Sequence, residues 1–312
     1  MNLFLSIHTK CCNWKRVIPS PIGILTLIQF VVLFVYFLAQ TIYTPSLPSI
    51  SPSFLWGKSI SANTTEELKK IFSEYNYNLE NIKNGKTPVP FLLLETLPNN
   101  FHKTKQVEKR KKLFIKIVLP MALAVNRRIE TYRDAVLTLS KRQNNLNGQE
   151  EKWLTSIAKL HNRKINETNL LLEQLAPIPV SLFLAQSAIE SGWGTSRFAK
   201  EGNALFGQWT WKPGSGIIPK NRDSGKKYEV KAFTTLINSV WDYARNLNTH
   251  WAYSDFRRER SKQILSGEIF SVLLLIKTLK KYSQQGQSYL ELIDRIIKQN
   301  DLLALDNARL AN

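Results

Sequence analysis

The chain has 312 residues and a formal net charge of +19 at pH 7, from 43 Lys and Arg against 24 Asp and Glu. That length holds a full catalytic domain and a smaller accessory region. The charge suits an anionic polymer or a membrane surface, with nucleic acid as the rival partner. The only cysteines, Cys11 and Cys12, exclude a disulfide framework or a thiolate metal site in the body of the chain. His8, His102, His161 and His250 show no metal-ligand spacing, so neither metal nor cofactor is expected.

Residues 1–16 are short and basic, with Lys10, Lys15 and Arg16. An uncharged run follows from Val17 to Gly57, and its core from Ile22 to Ile42 is long enough to cross a bilayer. The pattern predicts a cytoplasmic tail over 1–20 and a transmembrane anchor over 21–42. The basic flank puts the N-terminus inside and the rest of the chain in the periplasm or outside. A cleaved signal peptide is the alternative; Phe37 is large where a small residue would precede a cut near Ala39. Pro45, Pro48 and Pro52 among serines read as an extended linker over 43–63.

Folding is expected to resume at Thr64. Thr64-Thr-Glu-Glu67 is a capping box, and Leu68, Ile71, Phe72 and Tyr75 follow at helical spacing. Pro88, Pro90 and Pro98 around Phe91-Leu-Leu-Leu94 make 87–101 loops or one short extended piece. A long helix is expected from near Thr104, with Leu113, Ile117, Leu119 and Leu123 on its apolar side and Pro120 inside it. Its basic start, Lys103 to Lys112, reads as a solvated face, and no nucleic acid is expected as partner. Asn147-Gly-Gln-Glu150 starts another helix, carrying Trp153, Ile157 and Leu160. Residues 64–170 thus form a helical accessory region without visible chemistry.

The next stretch holds the candidate chemistry. Pro179 suits a helix start, Val180, Phe183, Leu184 and Ala188 recur at helical spacing, and Ala185 and Ala188 permit close packing. Gly192 should end this helix in the left-handed conformation. That leaves Glu190 in the last turn, where the helix dipole makes a carboxylate cost about 0.3–1 kcal/mol. The dipole supplies less than one pKa unit at about 1.36 kcal/mol per unit, so burial must add the rest of any upward shift. A carboxyl held protonated in this way is what a general acid needs. Gly192, Gly194, Gly202 and Gly207 lie among Trp193, Phe206, Trp209 and Trp211. A glutamate heading a Gly- and Trp-rich loop reads as a carbohydrate cleft.

Lys212 to Pro219 and Lys226 to Phe233 suggest a small β-hairpin or loop lobe, with Asp223 and Glu229 as its carboxylates. A helix should start at Thr235. The remainder, through Ile264, Leu273, Leu274, Ile293 and Ile296, is helical, and 304–312 form a tail.

Ala188-Ile-Glu190-Ser-Gly-Trp-Gly-Thr-Ser196 followed by Gly202-Asn203-Ala-Leu-Phe-Gly207 resembles the signature of the glucosaminidase family of glycoside hydrolases. The resemblance continues through Asn246-Leu-Asn-Thr-His250-Trp-Ala-Tyr253 and Tyr282-Ser-Gln-Gln-Gly286-Gln-Ser-Tyr289. It implies an α+β, mainly helical, lysozyme-like catalytic domain over 171–303. It implies hydrolysis of the β-1,4 bond after N-acetylglucosamine in peptidoglycan glycan strands, with Glu190 as general acid. Trp193, Asn203, Phe206, Gly207, Trp209, Trp211, Tyr228 and Tyr253 are the expected substrate contacts. Glu229, on a mobile lobe facing Glu190, is the candidate second carboxylate; the substrate's N-acetyl group is the alternative nucleophile. Many family members carry a tyrosine where this chain has Phe233, which cannot donate a hydrogen bond. A lytic transglycosylase acting on the same polymer and a non-catalytic wall-binding protein are the competing readings.

Overall fold

The computed structural model describes residues 29, 31–32, 47–50, 58–142, 145–223, 225–267 and 270–311. Its first strand, β1 (Lys58–Ile60), falls inside the expected linker. Helices α1 (Thr65–Glu74) and α2 (Leu79–Lys83) follow, and then β2 (Leu92–Leu94), which pairs with β1 in parallel, Lys58 opposite Leu92. The described part of 43–63 is therefore not a free linker. The Pro48 carbonyl accepts from Trp153 Nε1 at 2.7 Å, and the Ser49 carbonyl accepts from the Tyr132 hydroxyl at 2.8 Å. Prolines and serines favour an extended backbone. Leu47, Ile50 and Ile60, set among them, give it apolar side chains to pack. The expected anchor at 21–42 falls almost wholly outside the described residues; among those described, no helix is long and apolar enough to cross a membrane.

At Thr64 the hydroxyl caps α1 by accepting from Glu67 N at 3.2 Å, while the Glu67 carboxylate accepts from Asn63 N at 2.8 Å, one residue earlier than a capping box requires. Helix α3 (Val107–Ser140) is 34 residues long, about 50 Å at 1.5 Å per residue. From Leu113 to Val125 it is buried on nearly every side except at Lys116, Pro120 included. Helix α4 (Gly148–Leu160) starts with a complete capping box between Asn147 and Glu150. After α5 (Thr168–Gln174) comes α6 (Val180–Ser191), which packs on α3. Asn126 of α3 clamps the chain before α6: its Nδ2 donates to the Ile178 carbonyl at 2.7 Å, and its Oδ1 accepts from Ile178 N at 2.9 Å. One core joins Leu68, Phe72, Phe114 and Ile117 to Phe183, Tyr243, Phe256 and Ile293. The core therefore crosses the expected boundary at 170/171, because α3 buries both of its sides.

Helix α7 (Arg197–Gly202) leads into a small antiparallel sheet of β3 (Trp209–Thr210), β4 (Gly216–Ile217) and β5 (Glu229–Lys231), in the order β3-β5-β4. This is the expected lobe. Helices α8 (Leu236–Thr249), α9 (Ser254–Ser266), α10 (Val272–Lys277) and α11 (Gln287–Gln299) complete the chain. The expected tail is packed: Leu305 and Leu310 are buried, and Leu310 bridges to Val89. The Asp306 carboxylate accepts from Ser181 N at 2.7 Å and Ser181 Oγ at 2.8 Å, which caps the first turn of α6. The result is a mainly helical α+β architecture.

Candidate active site

Pro179 is the residue just before α6, one position earlier than expected, and Gly192 ends the helix at φ 58° and ψ 46°. A left-handed residue there costs glycine no Cβ clash. Glu190 lies in the last turn and is half-buried. Gln186 lies one turn back on the same stripe, since residues four apart share a helix face.

These two side chains are joined through α8 and α11. The Tyr243 hydroxyl donates to Gln186 Oε1 at 2.5 Å, Gln186 Nε2 donates to the Tyr289 hydroxyl oxygen at 3.0 Å, and the Tyr289 hydroxyl donates to Glu190 Oε1 at 2.7 Å. Gln186, Tyr243 and Tyr289 are all buried. Each hydroxyl has one hydrogen, so with the amide in this orientation every donor points towards Glu190.

Burial raises the Glu190 carboxyl above its ordinary range, and the Tyr289 hydrogen bond pulls it part of the way back. Burial and the Glu190 charge also push the Tyr289 hydroxyl up, so it stays a donor. Tyr243 and Tyr282 are held up in the same way. With Tyr289 on Oε1, the proton of the neutral acid belongs on Oε2. A Cβ at position 207 would stand 3.5 Å from Oε2, and Gly207, at φ 59°, leaves that space open. The arrangement leaves one carboxyl oxygen, Oε2, facing an open gap.

The predicted contacts divide. Trp209 and Trp211 are 52% and 70% exposed, and Tyr228 stacks on Trp209 with centroids 4.3 Å apart and planes at 12°. Together they form an aromatic face on the lobe. Trp193 is half-buried, edge-on to Phe114 at 5.7 Å, with the Lys111 ammonium over its ring. Phe206 is not a surface contact: it is buried and stacks on Tyr243 at 3.9 Å, a platform for the hydrogen-bonded chain. Asn203 is buried at φ 52°, and its Nδ2 donates to the carbonyls of Phe233 and Thr234 at 3.1 and 3.3 Å. It fastens the loop that ends α7. Tyr253 is buried against Tyr282, 5.9 Å between centroids.

Glu229 departs most from expectation. It is 6% exposed, its Oε1 accepts from Gly214 N at 3.1 Å and its Oε2 from Gly216 N at 2.9 Å. Both oxygens hold the turn between β3 and β4. Lys231, two residues on, pairs with Asp242 of α8 at 2.8 Å, which ties the lobe to the helical body.

Sequence reasoning missed Gln186, Tyr243 and Tyr289 as parts of the site, Tyr289 being noted only within the family motif ending Gln-Ser-Tyr289. The signal was there for Gln186, a polar residue four before Glu190 in an otherwise apolar stripe. Tyr243 carried none, because it reads as an ordinary apolar position of α8.

Residues 166–302 match the family model described as Glucosaminidase, mannosyl-glycoprotein endo-beta-N-acetylglucosaminidase. Over 186 residues the chain is 34% identical to Protein bax of Escherichia coli strain K12, covering 58% of this chain and 66% of that protein, just under two thirds. Among solved structures it matches the catalytic domain of the autolysin Auto from Listeria monocytogenes at 18% identity, over 55% of this chain and 96% of that one, with a TM-score of 0.30.

Proposed function

We propose that this chain, whose residues 166–302 match the glucosaminidase family model, is a peptidoglycan hydrolase cleaving the β-1,4 bond after N-acetylglucosamine. The observation that carries this reading is the Tyr289-to-Glu190 hydrogen bond on a carboxyl whose burial raises its pKa. Glu190 acts as the general acid. Its Oε2 gives a proton to the leaving oxygen as the glycosidic bond breaks, and Tyr289 holds Oε1 throughout. The family's lysozyme-like fold and the exposed Trp209 and Trp211 beside a Gly-rich loop fit a glycan strand as substrate.

The bonds made by Glu229 favour a single-carboxyl mechanism. A buried carboxylate with both oxygens on backbone amides is poorly placed to activate water. In the alternative, the carbonyl oxygen of the substrate's N-acetyl group attacks the anomeric carbon. The Glu190 carboxylate then takes a proton from the water that opens this intermediate. Retention of configuration follows.

We further propose that residues 21–42 anchor the chain in the cytoplasmic membrane, N-terminus inside. The uncharged run from Val17 to Gly57 and its basic flank support this. A reporter fused after Asn312 is expected to work only outside the cytoplasm, and activity inside would overturn the orientation.

Mass spectrometry of fragments released from sacculi tests the reaction. Reducing N-acetylglucosamine ends are expected. Anhydro-muramic ends would mark a transglycosylase, and binding without release a wall-binding protein.

A further inference from the structure

A cavity of about 400 Å³ lies between α1, α2 and the first part of α3, away from Glu190. Its lining includes Phe72, Tyr77, Lys69, Lys116, Asn76 and Asn81, and no acidic residue. Tyr77 is 3% exposed, and its hydroxyl has no hydrogen-bond partner among the described residues. Leaving such a group unpaired is destabilising unless something else pairs with it.

Lys116 has the complementary property. It is half-buried, its ammonium lies 5.3 Å from the Tyr77 ring centroid and 5.8 Å from that of Phe72, and no carboxylate among the described residues forms an ion pair with it. Burial and the neighbouring Lys112 both disfavour its charge, which an incoming anion would reverse. Lys69 adds a second cation, and its carboxylate partner among the described residues, Glu66, is 3.7 Å away and exposed. Asparagine amides match peptide groups, and Phe72 and Leu113 offer an apolar floor for small side chains.

We propose that this cavity binds the stem peptide of peptidoglycan, with Lys116 and the Tyr77 hydroxyl on a peptide carboxylate. The choice of peptide rests on the wall-hydrolase reading; the site itself is separate from Glu190. Leu113 lines the cavity, and the next residue, Phe114, packs on Trp193. The cavity and the glycan loop therefore lie at one level of α3, and the peptide site would hold the strand while Glu190 acts on its sugars.

The test is calorimetric titration of the full chain with free stem tetrapeptide, with the same peptide amidated at its carboxylates, and with N-acetylmuramic acid. The tetrapeptide is expected to bind and the other two to bind at least tenfold more weakly, as befits loss of a charge-assisted hydrogen bond of about that worth. Lys116→Gln and Tyr77→Phe should each weaken the tetrapeptide about tenfold. Tyr77→Phe keeps the ring and removes an unpartnered hydroxyl, so its melting temperature should not fall. Neither change should alter hydrolysis of glycan strands stripped of peptide. Absence of tetrapeptide binding, equal binding of the amidated peptide or of N-acetylmuramic acid, or unchanged binding by both variants would overturn the site. Failure of the wild-type chain to cut stripped strands, with tetrapeptide binding intact, would instead remove the glycosidase reading and leave the peptide site standing.

Discussion

Tyr289 and Glu190 are 99 residues apart in sequence and 2.7 Å apart in space, hydroxyl to carboxyl. The bond lowers the Glu190 pKa while burial raises it, and burial is the larger effect. It also assigns the two carboxyl oxygens different tasks, one fixed and one free.

Glu190→Gln should abolish the proton donor and keep the Tyr289 bond, since an amide oxygen still accepts. A loss of about 10²–10⁴ in sacculus hydrolysis is expected. Stability should hold or rise by up to about 1 kcal/mol, because an anion leaves the negative end of α6. The pH dependence has a definite sign. The folded protein holds this proton more tightly than the unfolded chain, whose ordinary value is 4.5. Stability is therefore lost as pH rises from below that value to the raised folded pKa, and levels off above it. The variant lacks this decline, so its melting temperature relative to wild type should climb across the same window. A constant difference from acid to neutral pH would contradict a raised pKa.

Tyr289→Phe should move the alkaline limb of the pH–rate profile upward. The lost hydrogen bond had been lowering the Glu190 pKa, and the acid form would persist to higher pH. Gln186 Nε2 also loses its acceptor, which should cost about 1–3 kcal/mol in a urea titration. An unmoved limb with the same stability loss would make Tyr289 purely structural.

For Glu229→Gln the expected signature is structural. An amide offers one acceptor oxygen where the carboxylate offered two, so Gly214 N or Gly216 N goes unpaired. About 1–3 kcal/mol of stability should be lost. Residual hydrolysis in the folded fraction is expected, with retained stereochemistry by NMR. Complete inactivity in fully folded protein would restore Glu229 as the second carboxylate.

Trp211→Ala removes the more exposed ring of the lobe's pair. KM for soluble glycan oligomers should rise about tenfold, the scale of one aromatic contact of 1–3 kcal/mol as measured for bases stacked on aromatics, with the melting temperature unchanged. Unfolding instead would show the ring to be part of the packing.

Much of this was legible in local sequence. The helix carrying Glu190, its glycine stop, the helix start at Asn147 and the lobe after Trp211 all announce themselves through short-range patterns. What stayed hidden depends on partners distant in the chain. Phe206 and Trp211 are both aromatic beside glycines, yet one stacks on Tyr243 and the other faces water. Glu229 read as a candidate second carboxylate because backbone amides fifteen and thirteen residues earlier leave no mark in composition.

The core that runs unbroken from Leu68 through α3 to Phe183 and Ile293 bears on how such a domain travels between proteins. The segment 166–302, which matches the family model, shares this core with α3, which lies outside it. Cut loose, it would leave the α6 surface that rests on α3 bare to water, and Ile178 would lose both bonds to Asn126. A gene fusion that moved only the segment would carry the candidate chemistry without the scaffold it packs on.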